Sequence, residues 1–246
     1  MQTYFWQNPK VGLLDTGVDA DLATLMTSAR RFASDTQGYL IDRPVLPDPT
    51  GHGSALARII LAKAPNARLC NAQVFTKPGV TSAAAIAAGL DWLAAENVAL
   101  VNVSLGIRRD RAILREACAR AMENGCILVA AAPARGPAVY PSSYPGALRI
   151  SSDARCAPED ISHLKTMQAE FGACPRSGDQ NTSDSTAGGA SFAVAHVTGL
   201  LADYLARGGD RLGCRQYLQD VAVHHGPERR SADLANYLPG FFSRWW

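Results

Sequence analysis

Apolar positions along the chain fall into two registers. Short, mostly apolar runs at 11–14, 98–105 and 126–132 have the length of strands buried on both faces, and 68–75 and 147–151 read as two further strands. Between them the apolar residues recur at helical spacing. After a loop supplied by the glycines of Gly51-His52-Gly53, a helix is read with Leu56, Ile59, Ile60 and Ala64 on one side and Pro65 as its stop. An Ala-rich helix follows to about residue 96, with Thr81 or Ser82 as its cap. A third spans 110–124 and ends at Gly125. A fourth, almost wholly apolar, opens at Gly188-Gly189-Ala190-Ser191 and runs to about residue 206. The Pro- and Gly-rich segment 133–146 is expected to be loop, and the polar stretch from there to Thr186 to be irregular after its first short strand.

Strands that are apolar on both faces and alternate with helices require a parallel sheet covered on both sides. The pattern predicts an α/β fold, a doubly wound and mostly parallel sheet with helices on both faces. At 246 residues the chain suits a single domain over 1–246. Sites in such sheets form where loops leave the carboxyl ends of the strands, and Asp15, Ser104 to Gly106 and Ala132 to Ala134 all fall at such ends.

Composition narrows the partners. The formal charge is only +2, and the basic residues are spread out rather than gathered in a run, so no nucleic-acid partner is implied. The first residues lack a basic stretch followed by an apolar run, so no signal peptide is read and a cytoplasmic location is expected. No apolar run is long enough for a membrane span. Six cysteines show neither a CxxC pair nor a histidine at metal-ligand spacing, which argues against zinc; reduced thiols are the favoured state, with disulfides left open by the even count. Asp153, Glu159, Asp160 and Asp184 are too scattered for a tight calcium site. No metal and no cofactor are expected. His224 and His225 are adjacent, face opposite ways in extended chain, and read as structural. The stretch 237–246, ending Phe241-Phe242-Ser243-Arg244-Trp245-Trp246, is aromatic enough to pack on the body or to meet a partner or second copy.

Five ordered blocks carry the chemistry. Val11-Gly-Leu-Leu-Asp15-Thr-Gly17, Gly51-His52-Gly53-Ser54 and Gly189-Ala190-Ser191-Phe-Ala193 resemble the blocks around the catalytic aspartate, histidine and serine of the subtilisin-like serine peptidases, the subtilases, and they occur in that family's chain order. Val101-Asn-Val-Ser104-Leu105-Gly106 resembles the family's substrate-binding strand, and Tyr140-Pro-Ser-Ser-Tyr144-Pro-Gly146 its Tyr-Pro loop. The resemblance implies Asp15, His52 and Ser191 as the triad: serine as nucleophile, histidine as the base that takes its proton, aspartate as the group that orients the imidazole. It further implies that Ser104, Leu105 and Gly106 pair with an extended peptide or protein substrate. Ala131 and Ala132 would form the facing wall of the pocket. Val139 stands at its floor where the family often has glycine, so a shallow pocket for small or medium apolar side chains is expected.

The chain departs from the pattern at one place that bears on catalysis. Ala134 aligns with the asparagine whose side chain completes the oxyanion hole, and removal of that donor costs about a hundred- to a thousandfold in turnover. Arg135 or Asn181 could replace it from elsewhere, or the site is slow. Ala55 replaces the family's second histidine and Ala195 its proline after the nucleophile. No propeptide domain is expected before Lys10. The expected activity is a narrow-specificity endopeptidase with an acyl-enzyme; the alternatives are a weak or inactive peptide-binding pseudoprotease and a peptide ligase or macrocyclase on the same scaffold.

Overall fold

The computed structural model describes residues 8–34, 40–75, 77, 79–177 and 189–228. The aromatic stretch 237–246, Asn181, Asp184, Thr186 and Gly188, all singled out in the sequence, lie outside them.

The strand-helix alternation produces one ten-stranded sheet. Its middle is built from β1 (Lys10–Asp15), β4 (Arg68–Gln73), β5 (Leu100–Val103), β6 (Ile127–Ala131) and β7 (Leu148–Ser152). β1 lies between β4 and β5, parallel to both, and β6 and β7 extend the parallel order outward from β5. Residues of β1 alternate between two cores. Val11 and Leu13 face α2 (His52–Lys63) and α5 (Ala190–Ala206), while Leu14 faces α3 (Ala83–Ala95) and α4 (Ala112–Glu123). All three side chains are fully buried, as a strand covered on both faces requires. Ser82 caps α3 by accepting the Ala85 amide at 3.1 Å.

Several elements are absent from the sequence pattern. β2 (Met26–Ser34) and β3 (Leu40–Arg43) pair antiparallel and form one margin of the sheet, with β2 parallel to β4. The stretch expected to be irregular carries β8 (Ile161–His163) and β9 (Phe171–Ala173), antiparallel to each other, with β9 parallel to β7. Three residues are too few to show a period, so only the burial of all six marks these as core strands. A short α6 (Cys214–Asp220) leads to β10 (His224–His225) at the other margin. The six cysteines are buried free thiols.

Candidate active site

The carboxyl end of β1 delivers Asp15, fully buried, to the first turn of α2. Its Oδ1 lies 2.7 Å from His52 Nδ1 and accepts the Thr16 amide at 2.8 Å. A carboxylate can only accept, so the imidazole carries its proton on Nδ1 and leaves the Nε2 lone pair free. Asp15 Oδ2 is buried without a hydrogen-bond partner among the described residues. Burial alone would push the imidazolium of His52 down; the hydrogen bond and charge of Asp15, with the charge of Asp48 behind it, outweigh this and raise it above the ordinary histidine value.

His52 is the first residue of α2, where amides have no partner within the helix. Three side chains supply acceptors in succession. Thr50 Oγ1 takes the His52 amide at 3.3 Å, Thr16 Oγ1 the Gly53 amide at 3.1 Å, and Asp48 Oδ2 the Ser54 amide at 2.9 Å. The Thr16 hydroxyl lies 3.1 Å from Asp15 Oδ1 and 2.8 Å from Asp48 Oδ1, and its one proton serves one carboxylate at a time. Gly53 is required for this approach, because a Cβ there would stand 2.2 Å from the Gly17 carbonyl oxygen.

Ser191 occupies the first turn of α5. Its hydroxyl donates to the Ser104 carbonyl at 3.3 Å, and its own carbonyl accepts from the Ser104 hydroxyl at 3.1 Å. Ser104 in turn accepts from Asn102 Nδ2 at 2.9 Å, and Asn102 Oδ1 accepts from Thr198 of α5, so the helix is laced to β5. No hydrogen bond joins Ser191 to His52. The two blocks meet through Phe192, whose ring centroid is 6.3 Å from that of His52.

A cavity of about 610 Å³ adjoins Ser191. One side carries Ser104, Leu105 and Gly106, the other Ala131, Ala132 and Ala134, and Val139 also lines it; Asp15 and His52 do not. A Cβ on Gly106 would lie 3.3 Å from Val139 Cγ2, so the valine closes against the glycine strand. Arg135 lines not this cleft but a smaller neighbouring cavity of about 130 Å³, which shares Ala134 with it.

The profile of the Subtilase family matches residues 7–225. The chain belongs to the subtilase family. It is similar to the minor extracellular protease Epr of Bacillus subtilis (strain 168), 29% identical over 59% of this chain and 23% of Epr. It is likewise 29% identical to the alkaline elastase YaB of Bacillus sp. (strain YaB), over 78% of this chain and 53% of the elastase. This subtilase thus spans about half or less of the length of these two relatives. Among solved structures it shares the fold of the S41 psychrophilic protease, with a TM-score of 0.65 and 21% identity over 89% of this chain and 86% of that one.

Sequence reasoning on this subtilase missed the polar frame beneath His52. Asp48, Thr16 and Thr50 read as ordinary loop residues, and none of them stands at the N-cap of α2, which is Gly51. Burial pulls the Asp48 carboxyl upward, yet the amides of Ser54 and Thr50 and the hydroxyls of Thr16 and Ser54 hold it below the usual carboxylate range. Arg108, which lines the cleft, was also missed. His196 is structural: one ring nitrogen donates to the Arg176 carbonyl at 2.8 Å, and burial lowers its pKa.

Proposed function

We propose that this subtilase is a serine endopeptidase of narrow specificity, with Asp15, His52 and Ser191 as its triad. The observation that carries this reading is the 2.7 Å pairing of Asp15 with His52 Nδ1, which holds the imidazole in the tautomer a general base needs. For attack, the Ser191 hydroxyl leaves the Ser104 carbonyl and gives its proton to His52 Nε2 while Oγ bonds to the substrate carbonyl carbon. The imidazolium then returns that proton to the departing amine, leaving an acyl-enzyme, and water repeats the sequence in reverse. The negative oxygen formed on attack is met by the Ser191 amide at the start of α5. A peptide strand laid along Ser104 to Gly106 would present its side chain to the cleft.

A second reading, a peptide-binding pseudoprotease, is favoured by two observations. Ala134 offers no side-chain donor, and Ser191 rests on Ser104 rather than on His52. Fluorophosphonate labelling separates the two, because only an activated serine reacts. Labelling of wild type but not of Ser191→Ala or His52→Ala, with cleaved products seen by mass spectrometry, is expected. A wild type that stays unlabelled, or a Ser191→Ala variant labelled equally, overturns the peptidase reading.

A further inference from the structure

We infer that Arg108 makes the cleft selective for a peptide with an acidic side chain, Asp or Glu, at the residue whose carbonyl Ser191 attacks. This names a substrate class for the site proposed above and rests on that proposal.

Arg108 is the one ionisable side chain other than hydroxyls lining the 610 Å³ cavity; the remaining lining is alanine, glycine, proline, serine, leucine and valine. Among the described residues no carboxylate pairs with it. Asp110, two residues on, is held by Arg115 and by the Tyr144 hydroxyl at 2.8 Å. Of the two acids lining the adjoining cavity, Asp153 and Glu228, Asp153 is bound by Arg155 at 2.7 Å. Among the described residues, the exposed guanidinium is therefore left to solvent and to whatever enters the cleft.

Its backbone is fixed in place. Ile107 donates to the Tyr140 carbonyl at 2.8 Å and accepts the Tyr140 amide at 2.9 Å. This two-way bridge fastens the chain just before Arg108 to the chain just after Val139. Arg108 is thus mounted beside the valine that shortens the pocket. A short side chain that ends against Val139 has its tip near the guanidinium, and a carboxylate tip would receive charge-assisted hydrogen bonds from a planar fork suited to it. Within the cleft itself Arg108 is the one formally charged lining residue, so a substrate side chain there meets positive charge. A lysine in the same place would be repelled. The apolar preference expected from the volume of Val139 alone becomes, with Arg108 counted, a preference for short acidic side chains.

The test uses peptide esters that differ only at the residue before the cleaved bond: Glu, Gln, Leu or Lys. Wild type is expected to turn over the Glu ester about five- to tenfold faster in kcat/KM than the Gln ester, the discount for an exposed guanidinium included. Arg108→Gln should bring that ratio to about one, and Arg108→Glu should invert the order of the Glu and Lys esters, with the Leu ester changed little by either. The same peptides, fluorescein-tagged and titrated into Ser191→Ala, give binding without turnover. If neither ester turnover nor labelling of Ser191 occurs, the peptidase reading fails, while tighter binding of the Glu peptide that Arg108→Gln abolishes still upholds the selectivity. Equal binding and equal turnover of Glu and Gln peptides, or a Glu preference that survives Arg108→Gln, overturns it.

Discussion

Asp48 holds Ser54 twice: its Oδ2 accepts both the backbone amide and the hydroxyl of Ser54, each at 2.9 Å. With Oδ1 on Thr16, this carboxylate ties the first turn of α2 to the end of β1 and thereby sets where His52 stands over Asp15. Asp48→Asn keeps the shape and removes the charge. Because that charge helps raise the His52 pKa, the acid limb of the kcat/KM profile should move to lower pH, and activity at neutral pH should fall roughly ten- to a hundredfold through misplacement. A merely structural defect would lower the profile without moving its limb.

Stability should carry the matching signature. The native Asp48 carboxyl lies below its ordinary value, so its contribution is complete above that value and disappears as pH falls through the lowered one. Urea unfolding of wild type and Asp48→Asn should therefore differ most near neutrality and converge in acid. A gap that stays constant with pH would contradict the assignment.

Asp15→Asn should reduce turnover by about 10⁴, since an amide can donate to Nδ1 and favour the wrong tautomer. Fluorophosphonate labelling of Ser191 should slow in parallel, while circular dichroism stays native.

Ala134→Asn should raise kcat by about a hundred- to a thousandfold with little change in KM, because it restores a donor used only once charge develops on the substrate oxygen. No gain would mean that another group already fills that role.

Gly53→Ala should destabilise the fold by about 3 kcal/mol in denaturant unfolding, since the added carbon meets backbone at 2.2 Å and not a movable side chain. Because the clash falls between the turns that carry Asp15 and His52, activity should be lost well before global unfolding.

Burial pushes the thiols of Cys118 and Cys214 up to about 12. Iodoacetamide at pH 8 should leave both unmodified in the native protein and react with them only after denaturation, as peptide mapping would show.

The central sheet was legible because β1, β5 and β6 are buried on both faces and so are mostly apolar. The pair β2 and β3 was not, because Arg30 and Arg31 interrupt the apolar pattern of β2. β8 and β9 fell below the length at which any period shows. At the site, motifs led to the Asp15–His52 pair and to the residues lining the cleft beside Ser191, but each motif was read for its chemically named member. The frame under His52 was invisible because Asp48 reaches Ser54 and Thr16 through space from a proline-flanked loop. Arg108 was passed over because it sits in an arginine-rich run that looks like ordinary solvated surface.

Asp15 ends a strand that is hydrogen-bonded to a neighbour on each side, whereas the first amides of the helix that His52 begins are held to the rest of the fold by hydroxyl and carboxylate groups. The two halves of the pair thus differ in durability. On heating the imidazole will come adrift while the acid is still clamped, so inactivation will precede melting and will reverse on cooling as long as the sheet has not opened.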